Sequence, residues 1–322
     1  MKRRKLGRSG ALVSEIGFGA WAIGGSMWGG ARDDDARAAL ARARERGLNF
    51  IDTALVYGDG HSERLAGAFL REAGFRDALI ATKVPPKSMQ WPAQPGARLR
   101  DNFPAAWIRS CCERSLRNLG VERIDLLQLH VWAQAWTDQD DWYAALTKLR
   151  EEGKLRLIGI SINSHDPASA VQVVRAGRVD AVQVFYNVFD QSPEDALLPA
   201  CRELGVGVIA RVPLDEGSLS GKLREDTTFP AGDFRSGYFG GGLLRETVRR
   251  VEALRPLLEG AAASMARGAL RFCLSHEAVS TVIPGMRNPA QADDNCAASD
   301  DGPLPPDLLT RLRPHRWVRA PY

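Results

Sequence analysis

The sequence predicts an α/β fold of the (β/α)₈, or TIM-barrel, class, with an N-terminal β-hairpin and long loops at the C-terminal face. Three observations carry this prediction. Eight short apolar segments alternate with eight amphipathic ones, 322 residues is a usual length for one such barrel, and the glycine fingerprint of the competing fold is incomplete. We therefore expect a single domain over residues 1–322.

The elements are placed by their periodicity, because side chains repeat every two residues in strands and every three to four in helices. A hairpin comes first, with strands at 4–6 and 12–14 around a turn at 7–10. The predicted barrel strands are 15–19, 49–52, 78–82, 124–130, 157–161, 181–186, 207–210 and 280–283. The predicted helices are 34–46, 61–72, 104–119, 138–152, 167–176, 194–204, 262–276 and 289–298.

An open doubly wound sheet is the competing interpretation of this alternation. Such a sheet normally carries a G-x-G-x-x-G turn after its first strand, and the stretch 17–22 (GFGAWA) lacks the third glycine. Segments 85–103 and 214–242 each interrupt the alternation after a strand. Both are therefore predicted to be long loops on the catalytic rim of a barrel.

The composition is that of a globular protein. Hydrophobic residues make up 44% and charged residues 25%, and the net charge of +4 is spread over interspersed acids and bases, as on solvated helix faces. The basic cluster at 2–5 precedes a turn, not an apolar stretch. The five cysteines show no C-x-x-C spacing and the five histidines are scattered. We expect a cytoplasmic monomer or homo-oligomer with no metal, no membrane and no nucleic-acid partner.

Four residues suited to proton transfer fall at the ends of three consecutive predicted strands. Asp52 ends one strand, and Tyr57 follows in its loop. Lys83 comes after the next strand and His130 ends the third. Neighbouring strands lie about 4.8 Å apart, so these side chains can share one site. A lysine ammonium lowers the pKa of a nearby tyrosine, Asp52 would hold Lys83, and His130 would orient a carbonyl oxygen. Each residue alone is ordinary, but their joint placement predicts a catalytic site.

The segments around these residues resemble the aldo-keto reductase family. GLNFIDTA at 47–54, YG at 57–58 and SERLAG at 62–67 look like its signature, while LIATK and DLLQLH put Lys83 and His130 at the family's other catalytic positions. The similarity runs from about residue 3 to 299. It implies a (β/α)₈ barrel that binds NADPH across its rim without a Rossmann domain.

The resemblance also implies the cofactor-binding residues. The family's nicotinamide carboxamide contacts match Ser161 and Gln183, with Asn163 standing one place later than the usual asparagine. Arg211 replaces a tyrosine that often stacks on the nicotinamide. The pyrophosphate loop corresponds to 213–222 and the adenosine site to 283–295. The full set is Asp52, Ser161, Asn163, Gln183, Arg211, Pro213, Leu214, Gly217, Ser220, Gly221, Lys222, Gly285, Arg287, Gln291 and Asn295.

The coenzyme implied is NADPH/NADP, with NADH as the alternative. Arg287 suits a ribose 2′-phosphate, and there is no acidic residue at 286 or 287 that would favour NAD.

Without the family resemblance, residues 217–222 would be interpreted as a plain loop. They are one residue short of a Walker A spacing, and no Ser or Thr follows Lys222.

These residues predict a reductase that converts an aldehyde or ketone, including aromatic carbonyls and sugars, into the alcohol, or runs the reverse reaction. The predicted substrate-binding residues are Trp21, Tyr57, His130 and Trp132. Two alternatives keep the barrel. One is a non-catalytic NADP-binding regulatory or partner subunit, against which the complete four-residue cluster argues. The other is an isomerase or lyase that holds a phosphorylated substrate at 214–222 and 285–288, which leaves the tyrosine–lysine pair unexplained.

Overall fold

The computed structural model describes residues 1–25, 27–29, 32–94 and 96–319. Seven residues lie outside this description, namely 26, 30, 31, 95 and 320–322. The end of the predicted 1–322 domain and Pro95 of the predicted 85–103 loop are therefore outside it as well.

Within the described residues, eight parallel strands form one sheet in the order in which they occur along the chain. The sheet closes because its first and last strands meet, through the parallel bridges Ile16 to Val282 and Gly19 to Gly285. The predicted barrel is confirmed, and most predicted strand ends differ from the observed ones by one or two residues. The barrel strands are β3 Phe18–Gly19, β4 Phe50–Asp52, β5 Leu79–Val84, β6 Ile124–Leu129, β7 Leu155–Ser161, β8 Ala181–Phe185, β9 Gly207–Arg211 and β10 Val279–Val282.

The predicted hairpin, β1 Arg3–Lys5 and β2 Leu12–Ser14, covers the N-terminal end of the barrel. Leu6 and Val13 are buried in one apolar cluster with inward-facing strand residues such as Phe50 and Leu126. The turn needs glycine at position 7, because its φ is +55° and a Cβ there would lie 2.4 Å from the Gly205 carbonyl oxygen. With this end plugged, the C-terminal end of the barrel is the open one.

The helices pack outside the barrel and bury their apolar faces against it. They are α1 Asp33–Glu45, α2 His61–Glu72, α3 Leu99–Asn102, α4 Ala105–Leu119, α5 Asp141–Glu151, α6 Val171–Arg175, α7 Leu197–Leu204, α8 Arg235–Tyr238, α9 Leu243–Glu259, α10 Met265–Ser275, α11 Pro289–Asp301 and α12 Pro306–Leu312. None of the described helices is both long and apolar enough to cross a membrane.

The sequence prediction missed α9 and α12, and it treated the segments that contain the short helices α3 and α8 as loops. The α9 helix buries Val248, Val251, Leu254 and Leu258, but it contains Pro256 and directly follows a glycine-rich loop. It is a second helix inside the unit that already contains α10, so the count of eight strand–helix pairs was complete without it. The α12 helix lies beyond the last pair.

All five cysteines are buried free thiols. Burial raises the pKa of the Cys112 thiol to about 11 and that of Cys111 to about 12. A thiol that holds its proton this strongly is a poor nucleophile at neutral pH.

Candidate active site

A buried ion pair lies at the C-terminal ends of β4 and β5. The Lys83 ammonium donates to Asp52 Oδ1 at 2.6 Å and to the Thr53 carbonyl oxygen at 2.8 Å. Gln128 Nε2 donates to the second Asp52 oxygen at 3.3 Å. Lys83 is 1% exposed and Asp52 3% exposed. Two acceptors from the end of the adjacent strand β4 therefore hold the ammonium in one position.

Tyr57 and His130 complete the cluster that the sequence predicts. The Lys83 nitrogen lies 5.1 Å from the centre of the Tyr57 ring. The His130 ring lies 5.8 Å from the same ring at an interplanar angle of 72°. The His130 backbone N–H continues the sheet by donating to the Val84 carbonyl oxygen at 2.9 Å. The fold thus brings all four residues into one site.

The pKa of Tyr57 corrects one detail of the sequence prediction. The sequence prediction was that Lys83 lowers the pKa of the Tyr57 hydroxyl below its ordinary value. In the structure burial raises the pKa of this hydroxyl above its ordinary value, and Lys83 and Arg211 offset only part of that effect. Tyr57 therefore keeps its proton at neutral pH and can donate it.

His130 is held as a neutral imidazole. Burial, with Lys83 and Arg211 nearby, lowers its pKa well below the ordinary value. Its Nδ1 atom is buried and has no hydrogen-bond partner among the described residues. A neutral ring can donate a hydrogen bond from one nitrogen to a carbonyl oxygen without placing a second positive charge beside Lys83.

Aromatic side chains flank the cluster on two sides. Trp21 stacks on Tyr57 with ring centres 6.1 Å apart, and Phe234 lies 4.6 Å from Trp21. On the other side, Trp91 meets His130 edge-on at 5.9 Å and is 42% exposed. Sequence reasoning missed Trp91 and Phe234 as individual residues, although it placed both of their loops on the rim.

Trp132 does not line this aromatic surface, contrary to the sequence prediction. It is fully buried, and its Nε1 donates to the Ser169 carbonyl oxygen at 3.1 Å. Its ring packs edge-on against Trp136 and Trp142 at 6.0 and 5.2 Å. The side chain points into the helix layer because an indole N–H that finds a carbonyl there can be buried without penalty.

Of the residues predicted to contact the nicotinamide, two lie side by side and one is held by another segment. Ser161 and Gln183 are direct partners on β7 and β8, and Gln183 Nε2 is buried without a hydrogen-bond partner among the described residues. Asn163 departs from the prediction, since its amide both donates to the Ala93 carbonyl and accepts from the Ala93 N–H, at 3.3 and 3.2 Å. It anchors the 85–103 segment, and so its amide is already used.

Arg211 is fixed by the backbone of the same region. Its Nη2 donates to the Ile162 carbonyl oxygen at 3.0 Å and to the Ser164 hydroxyl at 3.2 Å, and its guanidinium lies 5.4 Å from the Phe185 ring centre. The side chain is half-buried at the end of β9. Its positive charge therefore lies on the rim next to the Tyr57 cluster.

The 213–222 loop begins directly after β9 and turns sharply. Asp215, Glu216 and Gly217 have φ of +47°, +55° and +98° in succession. A Cβ on Gly217 would meet no atom within 4 Å, so this turn is open on one side. The Ser220 hydroxyl donates to the Gly217 carbonyl oxygen at 2.6 Å and closes the turn. Pro213 and Gly221 are buried, Leu214 is half-buried and Lys222 is exposed.

The predicted adenosine site surrounds the N-terminus of α11. Arg287 Nη2 donates to the Gly29 carbonyl oxygen at 2.8 Å, and Gln291 Oε1 accepts from the Arg287 N–H at 2.7 Å. Asn295 is buried and donates to the Gly285 carbonyl oxygen at 3.4 Å, so it braces the turn that precedes the helix.

A cleft beside Arg287 brings in a residue that the sequence did not single out. Arg32, from the loop before α1, lines this cleft with Asp35, Arg287, Asn288 and Gln291. Two arginines therefore line one opening at a helix N-terminus, a combination that favours an anion. Arg32 is 255 positions from Arg287 in the sequence, and no local pattern connects the two.

The chain is similar to known proteins over most of its length. A family model described as "Aldo/keto reductase family" matches residues 15–316. Aldo-keto reductase YhdN of Bacillus subtilis (strain 168) is 30% identical over 297 residues, which are 91% of this chain and 87% of that protein. The NADH-specific methylglyoxal reductase of Escherichia coli (strain K12) is 28% identical over 310 residues, 92% of this chain and 93% of that protein.

A solved structure agrees with these relatives. The holo form of aldo-keto reductase AKR11C1 from Bacillus halodurans superposes with a TM-score of 0.77 at 27% identity, covering 99% of this chain and 98% of that one. The match of the family model, the closed barrel and the four-residue cluster agree, and this chain belongs to the aldo/keto reductase family of oxidoreductases.

Proposed function

We propose that this protein is an NADPH-dependent carbonyl reductase in which Tyr57 is the general acid. The observation that carries the proposal is the joint position of Tyr57, Lys83 and His130. A protonated phenol and a neutral imidazole share a site with an anchored ammonium at the open end of the barrel. This is the arrangement needed to give a proton to a carbonyl oxygen as it gains negative charge.

Bound NADPH would supply the hydride. Tyr57 Oη holds the proton that the alkoxide oxygen receives, and His130 donates a hydrogen bond that orients this oxygen. Lys83 favours the phenolate left behind, and Asp52 keeps the ammonium in place. Trp21 and Trp91 lie on two sides of the cluster and limit the access of water. In the reverse direction the same tyrosine would accept the proton of an alcohol.

The residues present fit a nicotinamide dinucleotide. Gln183 Nε2, a buried donor without a partner among the described residues, suits the carboxamide oxygen. The open turn at Gly217 allows a diphosphate to approach the backbone. Arg32 and Arg287 suit a ribose 2′-phosphate, which supports NADPH over NADH. Because the Escherichia coli relative is named as NADH-specific, both coenzymes belong in the test.

The test follows coenzyme absorbance with NADPH and NADH over a panel of aromatic aldehydes, aliphatic ketones and sugars. We expect turnover with at least one carbonyl class and a lower KM for NADPH than for NADH. Arg287→Gln is expected to reduce this preference. Coenzyme binding without turnover on the whole panel would instead support a non-catalytic cofactor-binding subunit of the same fold.

We further propose that the enzyme acts in the cytoplasm on small molecules, as a monomer or homo-oligomer. Five buried free thiols suit a reducing compartment.

A further inference from the structure

Two neighbouring acids in the 213–222 loop have opposite surroundings. Asp215 accepts hydrogen bonds from the Tyr238 hydroxyl at 2.7 Å, from Arg319 Nη2 at 2.6 Å and from the Ser218 hydroxyl. Glu216 is 6% exposed, yet its carboxyl group forms no hydrogen bond with any described residue. A buried carboxylate without donors is costly, so this group needs an explanation.

The position of Glu216 suggests a ligand. It lies between Asp215 and Gly217 at the turn of the loop, where its φ is +55°. The carboxyl oxygens are not among the fully enclosed polar atoms that lack a partner, which places them at the surface of the loop. A buried carboxyl group without a partner among the described residues thus lies at the turn of the loop that the family resemblance matches to the cofactor diphosphate.

The charges around Glu216 come from four elements. Burial and the Asp215 carboxylate raise its pKa to about 8, although Arg211 from the end of β9, Arg235 from α8 and Arg319 from the C-terminal segment oppose the shift. Near neutral pH the group is therefore mostly an uncharged acid with an O–H donor. It becomes an anion only in mildly alkaline solution.

Tyr238 is a titratable group that also packs against this loop. Burial and the Asp215 carboxylate raise its pKa well above the ordinary value of a tyrosine. It keeps its proton throughout the range in which Glu216 titrates, so the two groups can be told apart.

We propose that Glu216 binds the cofactor diphosphate as a protonated acid, donating a hydrogen bond to a phosphate oxygen, so that the dinucleotide binds tightly only while this group holds its proton. This inference rests on the proposed function, because it takes a dinucleotide as the ligand. A carboxylate facing a diphosphate would repel it, whereas a carboxylic acid acts as a hydroxyl donor would.

The direction of the pH effect follows from linkage. The bound anion favours the protonated acid, so the pKa of Glu216 is higher in the complex than in the free protein. Below about pH 8 the acid is already protonated and affinity is independent of its titration. Above that value binding must take up a proton, and the dissociation constant rises by up to about tenfold per pH unit.

The test measures binding, not turnover, on the full-length protein. NADPH is titrated calorimetrically between about pH 7 and 9.5, in two buffers of different ionisation enthalpy, which reports the protons taken up. For the wild-type protein we expect the dissociation constant to rise about tenfold or more, with uptake of roughly half a proton or more near pH 8.5. Glu216→Gln, which resembles the protonated acid, should bind with unchanged affinity at about pH 7 and with little pH dependence.

The matched control is Glu225→Gln, which makes the same substitution at an exposed acid that pairs with Arg245 at 3.2 Å. It should keep the wild-type pH profile. Two results would overturn this inference and leave the reductase proposal intact. One is NADPH binding by the wild-type protein with no proton uptake. The other is a Glu216→Gln protein whose NADPH affinity depends on pH as in the wild type. If Glu216→Gln does not fold, wild-type proton uptake alone decides. A wild-type protein that does not bind NADPH or NADH at any pH rejects the proposed function itself.

Discussion

Arg319 Nη2 lies 2.6 Å from Asp215 Oδ2, although the two residues are 104 positions apart in the sequence. Both side chains are almost fully buried, at 5% and 2% exposure. The Arg319 guanidinium also lies 4.7 Å from the Tyr238 ring centre and 4.6 Å from that of Trp317. The C-terminal segment thus holds the 213–222 loop in shape from behind.

Arg319→Met should therefore weaken both the fold and cofactor binding. It leaves the buried Asp215 carboxylate without its cation, which costs about 3 kcal/mol of the free energy of unfolding. Denaturant unfolding and NADPH titration measure the two effects. The double variant Arg319→Met with Asp215→Asn removes the unpaired charge and should recover part of the stability. A single variant as stable as the wild type would show that the pair contributes nothing.

Tyr57→Phe should lower turnover by orders of magnitude and leave the cofactor site intact. Removing the hydroxyl takes away the proton donor, and general acid catalysis contributes roughly 10²- to 10⁴-fold to a rate. We expect turnover to fall by about that factor while the dissociation constant for NADPH changes less than about twofold. Tyr143→Phe, on α5 outside the site, is the control. Near-normal turnover in Tyr57→Phe would exclude this tyrosine as the acid.

Lys83→Met, compared with the double variant that adds Asp52→Asn, should distinguish the effect of Lys83 on stability from its effect on turnover. The substitution leaves the buried Asp52 carboxylate with only the Gln128 hydrogen bond, at a cost of about 3 to 5 kcal/mol. Adding Asp52→Asn removes this charge and should restore most of the stability. Turnover should stay low in both variants, because neither has an ammonium beside Tyr57. Recovery of turnover in the double variant would mean that Lys83 acts only as a structural partner of Asp52.

The barrel could be predicted from the sequence because each strand is followed by its own helix pattern. Leu79–Val84, for example, reads as a strand because it is apolar, and Lys83 interrupts it only at the catalytic end. The α9 helix was missed because Pro256 weakens its pattern and because nothing local indicates a second helix in one unit. Local periodicity indicates single helices and strands. How many of them one strand–helix unit of the barrel contains depends on tertiary packing.

The grouping of Asp52, Tyr57, Lys83 and His130 could be predicted because they lie at or just beyond strand ends, which the fold gathers at one rim. Side-chain direction could not be predicted. Trp132 and Trp91 both come from rim segments, but only the tertiary packing sends the first into the helix layer and leaves the second exposed. The pKa of Tyr57 was misjudged for a related reason, since a charge partner is visible in the sequence and the extent of burial is not.

Trp91 and Trp132 therefore make a matched pair of variants for testing which of these tryptophans contacts the substrate. Trp132→Ala removes a fully buried indole and should cost about 3 to 5 kcal/mol of the free energy of unfolding. Trp91→Ala should change this free energy by less than about 1 kcal/mol, because the side chain is 42% exposed. Its effect should fall on substrate binding instead, because it removes one aromatic contact beside His130.

An aromatic contact contributes about 0.5 to 1.5 kcal/mol, so KM for aromatic aldehydes should rise by up to about tenfold in Trp91→Ala, while small aliphatic carbonyls are less affected. Steady-state kinetics on both substrate classes and denaturant unfolding of both variants check the pair. Trp132→Phe, which keeps most of the buried ring, serves if Trp132→Ala does not fold. If only the Trp132 variants changed KM, Trp132 would be a substrate-binding residue and Trp91 would not.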